Sequence, residues 1–369
     1  MPYSHSRRVR GRHPALLVDQ QRKLIDAQIA LINQQAQQLS ELAEVVRAQG
    51  QELARQGGEL RHVATTVGTL GAEQLALLSP RLRRNFLPND DSIMQKQLLA
   101  TWSAASARVL GHRDLVGSGF RVFSQNDEDG VLLRIFSQVG TTNQYVIEIG
   151  SNCSDSDLGI PENLSTNLIV NHGWHGAIYE MDQTECDRTR YFFARDFSTK
   201  HFHVALHGEQ TYLSPLIIPG AISPDNIDQK LREASRDPEP DLMIIDIDGG
   251  DYAVIDKMTA VRPRVMVVEF EKRFRERHSV VQFDQSQFSK RWAQSGAASL
   301  AAWHKLLGSR GYTLVAIAGT GYNAFFVRND VADGKFAPLG VGEAFDSHPI
   351  FSQVDDAVWL EPDETWQAV

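Results

Sequence analysis

Cysteine is almost absent from this chain, which has only Cys153 and Cys186 among its 369 residues. So few cysteines cannot build a disulfide framework, and this predicts a reducing, cytoplasmic compartment. No uninterrupted apolar run of about 18 residues occurs, so no transmembrane segment is expected. The N-terminus is basic, but no apolar stretch of the secretory type follows it, which argues against a signal peptide.

Two common nucleotide-binding motifs are missing as well. The chain has no Gly-x-Gly-x-x-Gly sequence and no Walker A lysine motif, which argues against a nicotinamide-dependent enzyme and against a nucleoside triphosphatase. A formal net charge of −9 argues against nucleic acid as the main partner. Four arginines near the N-terminus leave two interpretations open, a solvated tail or peripheral contact with the inner face of an acidic membrane; they are Arg7, Arg8, Arg10 and Arg12.

A heptad pattern occupies the region before residue 78. Apolar residues recur at every seventh position, which is typical of the a positions of a coiled coil; they are Ile25, Ile32, Leu39, Val46, Leu53, Leu60 and Val67. The d positions include four glutamines, Gln28, Gln35, Gln49 and Gln56. Buried amide layers can set register and strand number at a cost in stability. The pattern predicts an oligomerisation stalk, with a disordered glutamine-rich segment as the alternative.

The remaining segments suggest one catalytic domain with extensions. We expect a basic arm at 1–20, the stalk at 21–78, a helical connector at 79–118, a catalytic domain at 119–330 and an acidic extension at 331–369. The last of these has eight acids against one lysine. A hydrophobic content of 42% is enough for a sizeable core.

Strands and helices are predicted to alternate within 119–330. The predicted strands are 145–149, 176–180, 201–206, 241–247, 264–270, 313–318 and 323–328, the last two forming an antiparallel hairpin at one edge. The predicted helices are 127–139, 162–172, 224–234, 252–260 and 300–309, and a further helix is expected from 91 to about 110. This alternation predicts an α/β fold with a Rossmann-like, doubly wound, mostly parallel sheet.

Acidic residues follow the buried strands of this predicted sheet. The run Asp246-Ile-Asp248-Gly-Gly-Asp251 comes directly after Leu-Met-Ile-Ile, and Glu269 ends the next apolar run. Open α/β sheets bind ligands at the carboxyl ends of their strands. We therefore expect a functional site there, although an acid of the first run can instead cap the following helix.

A second pair of acids has the layout of a nucleotide-type site. Glu148-Ile-Gly150 ends the first strand and Glu180 ends the second. In such sites a glycine turn lets the ligand approach the backbone, and an acid on the next strand accepts hydrogen bonds from ribose hydroxyls.

Several motifs together resemble the FkbM-type class I methyltransferases that use S-adenosylmethionine. They occur in the family's order and cover about 120–330: Phe123-Ser-Gln-Asn-Asp-Glu-Asp-Gly130, Ile147-Glu-Ile-Gly150, Gly173-Trp-His-Gly176 with Glu180-Met-Asp182, Ile245-Asp-Ile-Asp-Gly-Gly-Asp-Tyr252, Pro263-Arg-Val-Met-Val-Val-Glu269 and Gly296-Ala-Ala-Ser-Leu300. The resemblance implies a seven-stranded sheet and methyl transfer to a hydroxyl of a sugar or a polyketide-type product. The loop at 151–155 departs from the family because it lacks the further glycines.

The resemblance also implies roles for individual residues. Glu148, Gly150, Ser151 and Glu180 would hold the methionyl and ribose parts of the cofactor, and Asp246 would lie beside its amino group or sulfonium. Methyl transfer to an alcohol requires the hydroxyl to lose its proton, for which a base or a divalent ion serves. His278 is a candidate base, with a solvated loop histidine as the alternative. Three acids are candidate ligands of a Mg²⁺ or Mn²⁺ ion: Asp246, Asp248 and Glu269.

The leading hypothesis is an oligomeric O-methyltransferase acting on a sugar or glycan-like acceptor. One alternative is a metal-dependent glycosyltransferase that uses Asp246-x-Asp248 to bind a nucleotide sugar. Another is a coiled-coil scaffold whose methyltransferase-like head is inactive.

Overall fold

The computed structural model describes most of the chain beyond residue 89. The described residues are 90–105, 108–151, 160–195, 215–234, 237–282, 298–355, 359 and 361–369, together with the single positions 22, 23, 34, 37 and 44. The chain divides into two compact units, Met1–Gly71 and Ala72–Val369. The predicted stalk lies outside the described residues except at those single positions, and it stays a prediction.

A seven-stranded sheet forms the centre of the second unit, in the order β3-β2-β1-β4-β5-β8-β7. Neighbouring strands from β3 to β5 are parallel, whereas β8 is antiparallel to both β5 and β7. The strands of this sheet are β1 (Tyr145–Ile149), β2 (His175–Glu180), β3 (Leu216–Pro219), β4 (Leu242–Ile245), β5 (Val265–Glu269), β7 (Tyr312–Ile317) and β8 (Asn323–Arg328). A separate pair is formed by β6 (Val280–Val281) and β9 (Gln367–Ala368). The Rossmann-like, mostly parallel sheet is confirmed, and so is the antiparallel pairing of its last two strands.

Helices pack on both faces of this sheet. They are α1 (Asp90–Ala104), α2 (His112–Val116), α3 (Glu128–Val139), α4 (Thr166–His172), α5 (Gln183–Arg195), α6 (Ile227–Ala234), α7 (Asp251–Lys257), α8 (Leu300–Ser309), α9 (Asn329–Ala332) and α10 (Val341–Asp346). The first predicted helix is shorter than expected because α1 ends at Ala104 and α2 begins after Gly111. No prediction covered α5 or β3, and the strand predicted at 201–206 lies outside the described residues.

The core consists of two apolar clusters, one on each face of the sheet. In β4, Met243 and Ile245 face one cluster while Leu242 and Ile244 face the other, as the alternation of side chains along a strand requires. Both faces of the sheet are covered, so the sequences of its parallel strands are nearly continuous apolar runs. This is the physical reason why the central strands could be predicted from apolar runs alone.

The segment after residue 330 belongs to this packed unit. Phe345 and Phe351 are buried in one apolar cluster, and Trp359 packs against it. Strand β9 pairs with β6 near the C-terminus. Within the described residues, no helix combines the length and the apolar character that crossing a membrane requires.

Candidate functional site

The candidate site is a row of residues at the carboxyl edge of the sheet. Two of them end their strands, Glu180 and Glu269, and two come one position after a strand, Gly150 and Asp246. The fifth, Asn323, begins the antiparallel strand β8. Continuing the pairing of Ile245 with Val268 by one residue sets Asp246 beside Glu269. Continuing the β1 pairings in the same way sets Gly150 between Glu180 and Asp246, and Asn323 is already paired with Glu269. The row therefore reads Glu180, Gly150, Asp246, Glu269 and Asn323.

Strand alternation places the two central acids on one face of the sheet. Ile244 and Val267 belong to the same apolar cluster. Asp246 and Glu269, two positions further along their strands, consequently project toward that face. Asp248 joins them by way of the turn that follows β4. Carboxylate oxygens of Asp246, Asp248 and Glu269 all lie within 4.8 Å of one another.

The electrostatics of this triad are unfavourable in the absence of a cation. Glu269 is 7% exposed, and its buried Oε2 has no hydrogen-bond partner. Burial, followed by repulsion from Asp246, raises the pKa of Glu269 well above its usual range. The pKa of Asp246 is raised by the same two effects, with Asp251 and Asp248 the largest sources of repulsion. Glu269 and Asp246 thus bind protons at pH values where ordinary carboxylates are ionised, and a cation would compete with those protons.

The turn that carries Asp248 is held by Asp251. The Asp251 carboxylate accepts hydrogen bonds from the backbone N–H groups of Ile247 and Gly249, each at 3.0 Å. The backbone has positive φ at Asp248 (54°) as well as at the two glycines that follow it. The helix cap expected from an acid of this run is therefore wrong: Gly250 is the N-cap of α7 and no side chain caps it. Asp251 instead braces the turn before the helix, and the exposed Asp248 side chain joins the triad.

Glu180 and Ser151 form the part of the row predicted to hold ribose. Glu180 accepts the backbone N–H of Ser151 through Oε2 at 3.0 Å and that of Asp182 through Oε1 at 2.7 Å. The Ser151 hydroxyl lies 2.9 Å from the Asn163 amide nitrogen, which donates to it, and 3.3 Å from the Thr189 hydroxyl. The carboxylate is thus fixed in orientation, and each of its oxygens retains capacity for a further hydrogen bond.

Gly150 is required by the protein backbone itself. Its φ is 93°, and a Cβ at this position would lie 1.6 Å from the backbone oxygen of Asp246. No other residue type fits where β1 and β4 end so close together. The glycine-poor loop after Ser151 lies outside the described residues from 152 to 159.

Glu148 is buried beneath the row and binds the start of α4. Its oxygens accept hydrogen bonds from the backbone N–H of Leu164 at 2.9 Å and from both the N–H and the hydroxyl of Ser165. Burial raises its pKa to about 7 in spite of these hydrogen bonds. The geometry shows a structural brace at Glu148, and its contact with a cofactor stays a prediction.

His278 is not a member of the carboxylate triad. Its Nε2 lies 3.0 Å from Glu361, and its ring meets Phe274 edge-on. The residue lies between the short helix at Lys272–Phe274 and β6, beside the C-terminal segment. The structure therefore brings the predicted acids together and places the predicted base against a different part of the fold.

Two residues of this edge were assigned no role from the sequence, Glu128 and Asn323. Glu128 is fully buried, and its Oε1 accepts a hydrogen bond from the Asn323 side-chain amide at 3.0 Å. Its charge is among those that raise the pKa of Asp246. The neighbouring Asp127 accepts the backbone N–H of Gly319 at 3.0 Å. The only sequence signal for the contact between Glu128 and Asn323 is the run of three acids at 127–129, where the buried helix α3 begins.

The strand order of the sheet, with β8 antiparallel between β5 and β7, is that of the Rossmann-like fold of class I methyltransferases. The model of the methyltransferase FkbM domain matches residues 145–314 of this chain. This match favours methyl transfer over the nucleotide-sugar interpretation of Asp246-x-Asp248.

Comparisons with individual proteins are more distant. No curated protein matches the chain. Among solved structures, the chain is similar to the MycE methyltransferase from the mycinamycin biosynthetic pathway in complex with Mg and SAH, with 16% identity and a TM-score of 0.32. That similarity covers 61% of this chain and 56% of the other protein.

Proposed function

We propose that this protein transfers a methyl group from S-adenosylmethionine to a hydroxyl of a sugar or glycan-like acceptor, with a divalent cation at the acid triad. The observation that carries the proposal is the row of fixed residues at the carboxyl edge of an FkbM domain. Polar groups for a nucleoside and polar groups for a cation are adjacent along that row.

The β2 end of the row suits the nucleoside part of the cofactor. Backbone N–H groups hold the Glu180 carboxylate so that it can accept hydrogen bonds from two ribose hydroxyls. Met181 follows directly, and its side chain is 76% exposed. An exposed, flexible apolar side chain at this place can pack against a purine ring. Asp246, one strand beyond Gly150, supplies negative charge for the cationic part of the cofactor.

The triad suits Mg²⁺ or Mn²⁺. Both ions prefer oxygen ligands, and the triad offers three carboxylates, one of which has a buried oxygen without a partner. The three negative charges of the ionised triad would be balanced by the two positive charges of a divalent ion and the one positive charge of the cofactor's sulfonium. Asp246, Asp248 and Glu269 would hold the ion.

The exposed position of Asp248 lets an acceptor reach the triad from solvent. When bound, S-adenosylmethionine supplies the methyl group and a divalent ion lowers the pKa of the hydroxyl that it coordinates. The acids of the triad orient that hydroxyl, and in the absence of an ion Asp248 can accept its proton. An oxygen acceptor fits this chemistry because oxygen is the atom that such ions coordinate.

Methyl transfer to a panel of polysaccharide intermediates tests the proposal. Transfer should stop when EDTA is added and return with Mg²⁺ or Mn²⁺, while S-adenosylmethionine still binds. Asp248→Asn should lose transfer, whereas Asp256→Asn, an exposed acid on α7, should keep it. Activity that survives EDTA but not Asp248→Asn would make the acid a base or an acceptor anchor and would remove the metal from the proposal.

We also propose that the protein is a homo-oligomer held by the predicted stalk. Support comes from the heptad pattern at 21–78 alone. Light scattering on the full chain should show more than one copy, and a monomer would contradict the proposal.

A further inference from the structure

Glu128 is a buried acid that the proposed chemistry does not yet use. It is the first residue of α3, and its side chain is fully buried. Oε1 accepts a hydrogen bond from the Asn323 amide at 3.0 Å, and Oε2 accepts one from the backbone N–H of Asn126 at 3.1 Å. Both donors are neutral. A carboxylate taken out of water in this way usually has a cationic partner.

The Asn323 amide connects Glu128 to the triad. Asn323 begins β8 and pairs directly with Glu269 across the antiparallel β5–β8 ladder. Residues directly opposite in such a ladder project to the same face with their side chains adjacent. The hydrogen bond from Asn323 to Glu128 therefore fixes the side chain that stands beside Glu269.

Glu128 is not itself a member of the triad, because it is not one of the three acids whose oxygens lie within 4.8 Å of one another. Its connection to the triad is the Asn323 amide, which donates to Glu128 and stands beside Glu269.

We infer that Glu128 is a positioning residue for the divalent cation, acting through Asn323 on Glu269. This inference rests on the metal site of the proposed function. Outer groups that orient metal ligands typically change metal affinity about 10- to 100-fold when they are removed.

A purely structural role makes a different prediction. Acids in the first turn of a helix stabilise it through the helix dipole. If that were the only role of Glu128, Glu128→Ala would lower stability and leave cation affinity unchanged. Positioning predicts weaker cation binding in Glu128→Ala and affinity near wild type in Glu128→Gln, because the Gln amide oxygen can still accept the Asn323 hydrogen bond.

The test is a calorimetric titration of MnCl₂ alone into the full chain, with thermal unfolding of the metal-free protein measured in parallel. The variants are Glu128→Ala, Glu128→Gln, Asn323→Ala, the Glu128→Ala/Asn323→Ala double variant and Glu269→Gln. Asp127→Asn is the matched control, since it removes a charge one residue away and its amide oxygen can still accept the Gly319 N–H. We expect Glu128→Ala to weaken Mn²⁺ binding about 10- to 100-fold, Glu128→Gln to bind within about threefold of wild type, and the double variant to be weakened less than the product of the two single effects. Asp127→Asn should stay within about threefold of wild type.

Mn²⁺ binding by Glu128→Ala within about threefold of wild type, with binding lost in Glu269→Gln, overturns the positioning role and leaves the metal site standing. Equal losses of affinity in Glu128→Ala and Glu128→Gln would assign the effect to the charge of Glu128 and overturn positioning through Asn323. Absence of Mn²⁺ binding in the wild type overturns the metal site and this inference together. A lower melting temperature with unchanged affinity in Glu128→Ala assigns the residue to the helix alone.

Discussion

Replacing Glu269 by Gln should stabilise the metal-free protein at alkaline pH. The change keeps the shape of the side chain and removes one of the three triad carboxylates, which have oxygens within 4.8 Å of one another. At an effective dielectric constant of about 20, two full charges at that separation repel by about 3 kcal/mol. Protonation relieves this repulsion at lower pH, because burial and neighbouring acids raise the pKa of both Glu269 and Asp246.

The sign of the pH dependence follows from those raised pKa values. Between the unfolded and the folded pKa, the native state binds more protons than the unfolded chain, so the free energy of unfolding falls as pH rises. We expect little difference between wild type and Glu269→Gln near pH 5. By about pH 9 the variant should be more stable by about 2 to 3 kcal/mol.

Denaturant unfolding followed by circular dichroism from pH 5 to 9, with and without MgCl₂, measures this directly. Mg²⁺ should remove the alkaline loss of stability in wild type and have little effect on Glu269→Gln, since ligands stabilise only the state that binds them. A variant that is less stable than wild type at pH 9 without metal would refute the charge argument and make Glu269 a structural acid.

Three further perturbations test other parts of the account. Glu180→Ala should abolish binding of S-adenosylmethionine in calorimetry while the circular dichroism spectrum stays native, because it removes the acceptor for two ribose hydroxyls; unchanged affinity would remove the ribose assignment. Gly150→Ala should destabilise the fold by several kcal/mol, the order expected for a strained and overpacked site, because the added Cβ would overlap the Asp246 backbone oxygen. An unchanged denaturation midpoint would contradict that geometry. Deletion of residues 1–78 should give a smaller assembly with a folded head by light scattering, and an unchanged assembly would contradict the stalk.

The acid triad could be predicted because its members follow short apolar runs. Runs such as Leu242–Ile245 are long enough for one buried strand and end abruptly in charge. Parallel neighbours end at the same edge of a sheet, so the approach of Asp246 to Glu269 follows from the strand order. The roles of Asp248 and Asp251 could not be predicted, because they depend on how the turn between the two residues folds.

Elements with a weak or contrary sequence signal were harder to predict. Strand β3 is a short apolar run between Pro215 and Pro219, and proline is disfavoured in strands except at edges and ends. Helix α5 is rich in charged residues, which weakens its apolar pattern. The contact of Glu128 with Asn323 joins residues that are 195 positions apart in the sequence. A contact of that kind depends on tertiary packing and leaves only a weak local signal.

Titration of S-adenosylmethionine into the full chain, with a nucleotide sugar and Mn²⁺ titrated in parallel, tests the central claim most directly. The account predicts saturable binding of S-adenosylmethionine that Glu180→Ala removes, and no specific binding of the nucleotide sugar. Binding of the nucleotide sugar alone would identify a glycosyltransferase instead. Binding of neither ligand would contradict the methyltransferase and leave an inactive head.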